Sequence, residues 1–124
     1  MTNVDVKQQI TDSTQLREVY RDPAQGAIDK VIDHVDEMAA DFIAKTPFVV
    51  IASASRDRAD ASPRGGPPGF IRVLDRHRVA WGDLTGNNRL DSFGNLLEQQ
   101  HVGMVFLVPG IIETLRVNGT AQLV

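Results

Sequence analysis

The 124-residue sequence predicts a mainly β fold, an antiparallel barrel with helices at its rim. Three observations lead there. Two short apolar runs, FVVIASAS at 48–55 and VGMVFLV at 102–108, are rich in β-branched residues and read as strands. Glycine and proline cluster at 63–69 and again at 109–110, cutting the chain into short segments. The elements follow in the order helix, strand, strand, strand, helix, strand, strand. No helix of about 10–15 residues follows each strand, as a doubly wound parallel sheet would require.

Residues 1–12 are polar and are expected to be loose. Asp12 can open a short helix over TQLREVYR, with Gln15 three residues on as a capping partner. Asp22-Pro23 is a stronger start signal, since aspartate caps and proline suits the first helical position. From there Ile28, Val31, Ile32, Val35, Met38, Ala39, Phe42 and Ile43 recur at helical spacing. Asp29, Asp33, Asp36, Glu37 and Asp41 take the other face, so one amphipathic helix of about five turns is predicted. Thr46-Pro47 ends it, because the residue before proline is pushed out of the helical region. The run 48–55 is nearly continuous in apolar residues and reads as a strand buried on both faces. ADASPRGGPPG at 59–69 reads as a loop. FIRVLD and RVAWGD are strands joined at Asp75-Arg76-His77. A helix follows from Asn88 as N-cap, with Asp91 as capping partner and Leu90, Phe93, Leu96 and Leu97 on one face. After the strand at 102–108 and the Pro109-Gly110 turn, ETLRVNGTAQLV alternates apolar and polar residues as a last long strand. The chain stops on Val124 inside that strand, so it is either cut short or pairs there with a segment outside it.

The bulk properties fit one soluble domain over residues 1–124, with helices over about 13–45 and the barrel over about 47–124. The composition is 42% hydrophobic and 23% charged, with a net charge of -3. Nothing global therefore argues for nucleic acid or an anionic membrane. The charge is unevenly spread: seven of the thirteen basic residues are arginines between Arg56 and Arg89. A local anion site is the simplest reason. The absence of cysteine excludes disulfides, thiolate metal sites and a cysteine nucleophile. MTNVDVKQQI lacks the features of a signal peptide, and no apolar run nears the roughly 20 residues that span a bilayer. A cytoplasmic location is expected.

The stretch from Ser62 to Asn95 carries the candidate chemistry. Arg64, held beside glycines, can offer a rigid fork to a phosphate, with Ser62 as a neighbouring hydroxyl; a surface turn with an incidental charge would look the same. Asn87-Asn88-Arg89 places a cation in the first turn of a helix, where it opposes the dipole unless an anion sits in front of it. Trp81 can wall an aromatic ligand or fill the core. The polar face of the last strand can meet solvent, a cofactor or a partner subunit. His34, His77 and His101 lie on different elements with no metal-ligand spacing, so no metal is expected. Nucleophile-elbow, phosphate-loop and dinucleotide fingerprints are all missing.

In SPRGGPPGF, VLD, GNNRLDSFGNLL, VGMVFLVPG and ETLRVNGTA, the chain resembles the pyridoxamine 5'-phosphate oxidase-like family. More narrowly, it is similar to the bacterial FMN-binding members of unassigned substrate. The resemblance runs from about Asp12 to Val124, and its two loop motifs are specific in combination. It implies an antiparallel split β-barrel, a homodimer with FMN at the interface, and an FMN-dependent oxidoreductase acting on a small molecule. It makes Arg64, Asn88 and Arg89 phosphate ligands, with Ser62 and Asn87 as hydrogen-bonding neighbours. It places Trp81 in the stretch lining the flavin ring and Arg116 as a contact from the opposing protomer. The C-terminal segment that usually completes the subgroup's site does not follow here, nor does the pyridoxamine-phosphate signature of the true oxidases. A non-catalytic carrier or sensor of flavin, deazaflavin or haem remains a second reading. A small nucleic-acid-binding barrel is a third, weakened by the acidic balance of the chain.

Overall fold

A computed structural model describes residues 9–82 and 91–124, apart from the side chains of Asp91 and Ser92. The chain divides into two units, one ending at Ile32 and the other spanning Asp33–Val124.

In the first unit, α1 covers Ser13–Val19 behind an extended Asp12, whose carboxylate accepts the Gln15 N–H at 2.8 Å. Gln15 reaches back to the N–H of Thr11 rather than to that of Asp12. The second helix, α2, is only Gln25–Asp29 and starts at Ala24 with no side-chain cap, so Asp22-Pro23 does not launch it.

The single five-turn helix is not formed. In the second unit a separate helix, α3, covers Glu37–Lys45. Its N-cap is Asp36, extended at φ -82° and ψ -178°, with its carboxylate accepting the Ala39 N–H at 2.8 Å. An aspartate that bonds forward onto the backbone competes with helix continuation. Just before it, the Val35 N–H donates to the carbonyl of Arg76 at 2.7 Å, a bond made outside any helix. Periodicity counted these aspartates as a solvated face, whereas Asp36 is a start signal. The end of α3 is as expected: Thr46 is extended, and its hydroxyl donates to the Phe42 carbonyl at 2.7 Å.

Four strands form an antiparallel sheet in the order β2-β1-β5-β6: Phe48–Ala54 (β1), Ala59–Gly65 (β2), His101–Leu107 (β5) and Leu115–Thr120 (β6). Arg72–Asp75 (β3) and Arg78–Ala80 (β4) pair as a separate hairpin, and Asp91–Glu98 forms α4. The second unit is thus mostly antiparallel sheet with few helices. The stretch 59–69, read as a loop, is a strand up to Gly65. Proline is tolerated there because β2 is an edge strand, where Pro63 can turn its missing donor outward. Only 66–69 remains a connection, tied by Gly66 N–H to Pro47 and Gly69 N–H to Thr46. Gly69 has φ +82°, and a Cβ there would lie 3.1 Å from the Ala44 carbonyl oxygen, so the position needs glycine. The last strand ends at Thr120, after which Ala121 N–H bonds the Gln100 carbonyl.

The core consists of Ile43, Val49, Ile51, Ile71, Met104 and Phe106, with Val73, Val79, Trp81, Leu115 and Val117 packed against it. Register puts Val49 between Phe106 and Arg64, and Ile51 between Met104 and Ser62. These residues therefore share the inner face of the sheet. β1 and β5 are not buried on both faces, as their sequences suggested: Ala52 is exposed outward, and Val50, Val105 and Leu107 are half-buried there.

At the hairpin turn, Asp75 accepts the His77 N–H at 2.9 Å and Arg78 Nε at 2.6 Å. The backbone donor first, then the guanidinium, holds its carboxyl below the ordinary aspartate range. A depressed carboxylate adds stability above its unfolded pKa and loses it as pH falls through the lower folded value. The turn is therefore expected to keep its contacts at neutral pH and to give them up only below about pH 4. A carboxyl NMR titration should place the Asp75 midpoint below that of an ordinary aspartate, and a normal or raised midpoint would contradict this.

Candidate anion-binding site at the β2 edge and helix α4

Alternation along β2 turns Asp60, Ser62 and Arg64 to the inner face, each half-buried, while Ala61 and Pro63 face outward and are exposed. Ser62 and Arg64 are two residues apart on one strand, so their Cα atoms stand about 7 Å from each other. Helix α4 packs across β1 and β2 above them. The Arg64 guanidinium carbon lies 5.8 Å from the centroid of the Phe93 ring, within cation–π range. A planar fork with its stem against Val49 and its head against an aromatic ring is held in place before any ligand arrives.

A second contact of α4 escaped the sequence reading. Asn95 is completely buried. Its Nδ2 donates to Ser53 Oγ of β1 at 3.1 Å, and its Oδ1 accepts from Arg58 Nε at 2.9 Å. Arg58 lies in the turn between β1 and β2 and passes close over Gly94, where a Cβ would come 3.1 Å from its Nη2. The signal was present in the sequence as Gly94-Asn95, two poor helix formers side by side within a helix.

The other predicted site residues are spread out. Trp81 follows β4, half-buried against the core. Arg116 lies on β6 at the opposite edge of the sheet, exposed on the outer face, so within one chain it does not join Ser62 and Arg64. Asn87, Asn88 and Arg89, with the Asn88 cap, lie outside the described residues, immediately before α4 in sequence.

The donor set suits an oxyanion. It consists of a fixed guanidinium and a hydroxyl on one strand face, and no group of three His, Cys, Asp or Glu among the described residues is placed to hold a metal. The family model described as pyridoxamine 5'-phosphate oxidase matches residues 35–124, from just before α3 through every strand. The chain belongs to the pyridoxamine 5'-phosphate oxidase family. The family read from the SPRGGPPG and GNNRLDS motifs is thereby confirmed. No curated protein and no solved structure matches the chain. Members of the pyridoxamine 5'-phosphate oxidase family typically bind flavin, and the family points to flavin-binding, oxidoreductase-type function. Among the described residues no helix is long and apolar enough to cross a membrane.

Proposed function

We propose that the chain is an FMN-dependent oxidoreductase domain with the family's split β-barrel, acting on a small molecule as a cytoplasmic homodimer. One observation carries the reading: within a chain of a flavin-binding family, Arg64 is half-buried, turned to the same strand face as Ser62, and seated on an aromatic ring. That is a preset receptor for the 5'-phosphate, completed by Asn87, Asn88 and Arg89 before α4. Bound there, FMN supplies the redox chemistry. The chain's own residues anchor and orient it. Arg64 and Ser62 hold the phosphate by charge-assisted and neutral hydrogen bonds, and Trp81 borders the ring and limits water.

Arg116 is assigned to the flavin of the partner protomer. Its position on the outer sheet face supports this, as does the apolar character of that face at Val50, Ala52, Val105 and Leu107. Apolar side chains pointing outward from central strands are better explained by a second subunit than by water.

Purified protein is expected to carry, or to take up when FMN is added, a cofactor with flavin absorption in the visible range. Mass spectrometry of the released cofactor should identify FMN. A protein that stays colourless with excess FMN defeats the proposal. Reduction of the bound flavin by a nicotinamide donor, with turnover, is the expected sign of an enzyme. Tight binding without turnover would move the assignment to a carrier or sensor.

A further inference from the structure

We infer that Arg58 and Asn95 are positioning residues for the phosphate site, setting the roll of α4 and, through Phe93, the seat of Arg64. The inference rests on the reading of Arg64 as a phosphate ligand. It concerns residues that never touch the phosphate themselves.

The geometry has two halves. Phe93 and Asn95 stand about 200° apart around α4, so they flank the face that the helix lays on the sheet. On one flank the Phe93 ring lies against the Arg64 guanidinium. On the other, buried Asn95 is bonded to Ser53 below and to Arg58 beside it. Helices rest on sheets largely through apolar contact, which is not directional and permits small rotations. Hydrogen bonds are directional. The Ser53–Asn95–Arg58 chain therefore fixes how far α4 is turned, and a turn of the helix carries Phe93 and the seat of Arg64 with it. Gly94 fits this arrangement, since its missing side chain leaves the channel that Arg58 crosses. A leucine in place of Asn95 would fill similar volume without fixing the angle. The retention of a fully buried amide, which must satisfy both its ends, is thus explained by orientation.

The experiment compares FMN with riboflavin, which lacks the phosphate, using quenching of flavin fluorescence. Wild-type protein is expected to prefer FMN. Arg58→Ala removes an exposed side chain and leaves the buried amide in place, so it should fold. It is expected to lose about tenfold in FMN affinity with riboflavin affinity unchanged. Arg58→Lys, which can still donate to Asn95 Oδ1, should recover most of the loss. Asn95→Leu should behave like Arg58→Ala where it folds. An Arg58→Ala protein with undiminished preference for FMN overturns the inference, and so does an equal fall for both flavins, which marks a merely structural role. A wild-type protein with no preference for FMN overturns something earlier, the placing of the phosphate at Arg64, and the inference falls with it.

Discussion

Phe106→Ala is expected to destabilise the protein by about 3–5 kcal/mol, a large part of a typical domain's stability. Phe106 is 0% exposed and sits on β5, a central strand, opposite Val49 on one side and Leu115 on the other. Removing the ring leaves a void walled by strands whose backbones are paired on both sides, so little collapse can fill it. Phe48 is the same residue type, but it lies at the start of β1, faces outward and is 39% exposed. Its replacement by alanine should cost under about 1 kcal/mol in the free subunit. Urea unfolding of the two variants at low protein concentration measures the contrast. Equal losses would mean that the inner and outer faces of the sheet are wrongly assigned.

That assignment was only half legible in the sequence. The runs at 48–55 and 102–108 announced strands through their β-branched content, and the structure forms β1 and β5 there. Their lack of alternation suggested burial on both faces, but a run without polar residues cannot say whether its second face meets its own chain or something else. The helix periodicity misled for a related reason. Spacing alone continued through Asp29, Asp33 and Asp36, although aspartate is both a good exposed helix neighbour and a good cap. What decides at Asp36 is the tertiary bond from Val35 N–H to the hairpin at Arg76, which local sequence does not encode. Proline was also overread: in SPRGG it marks an edge strand, and edge position is a property of the sheet. The Arg64 corner, by contrast, was visible as an arginine among turn formers, and the structure adds the Phe93 ring that seats it. Asn95 was passed over because a helix-face search rewards Phe93, Leu96 and Leu97 and skips the polar residue between them.

Arg64→Ala is expected to weaken FMN binding by roughly 1.5–3 kcal/mol, about 10- to 150-fold, because the lost contact is a charge-assisted hydrogen bond to phosphate. The same change should cost the unliganded protein little. Its main described side-chain contact is the Phe93 ring at 5.8 Å, worth about 0.5–1 kcal/mol at a partly exposed site. The two effects separate a ligand-holding arginine from a structural one. Arg64→Lys sharpens the test. Lysine keeps the charge but not the planar fork, and it stacks less well on an aromatic ring, so it should restore only part of the affinity. Arg89→Ala should give the same pattern as Arg64→Ala if the turn before α4 holds the same phosphate. Titration of each variant with FMN, beside its urea unfolding without flavin, gives both quantities on one preparation. A variant that loses stability as steeply as affinity would assign Arg64 to the fold, and unchanged FMN affinity would remove it from the site. The predicted outcome, a large loss in binding on a nearly unchanged fold, follows from where β2 puts Arg64: on the inner face, beside Ser62 and under α4, yet at the edge of the sheet where a ligand can reach it.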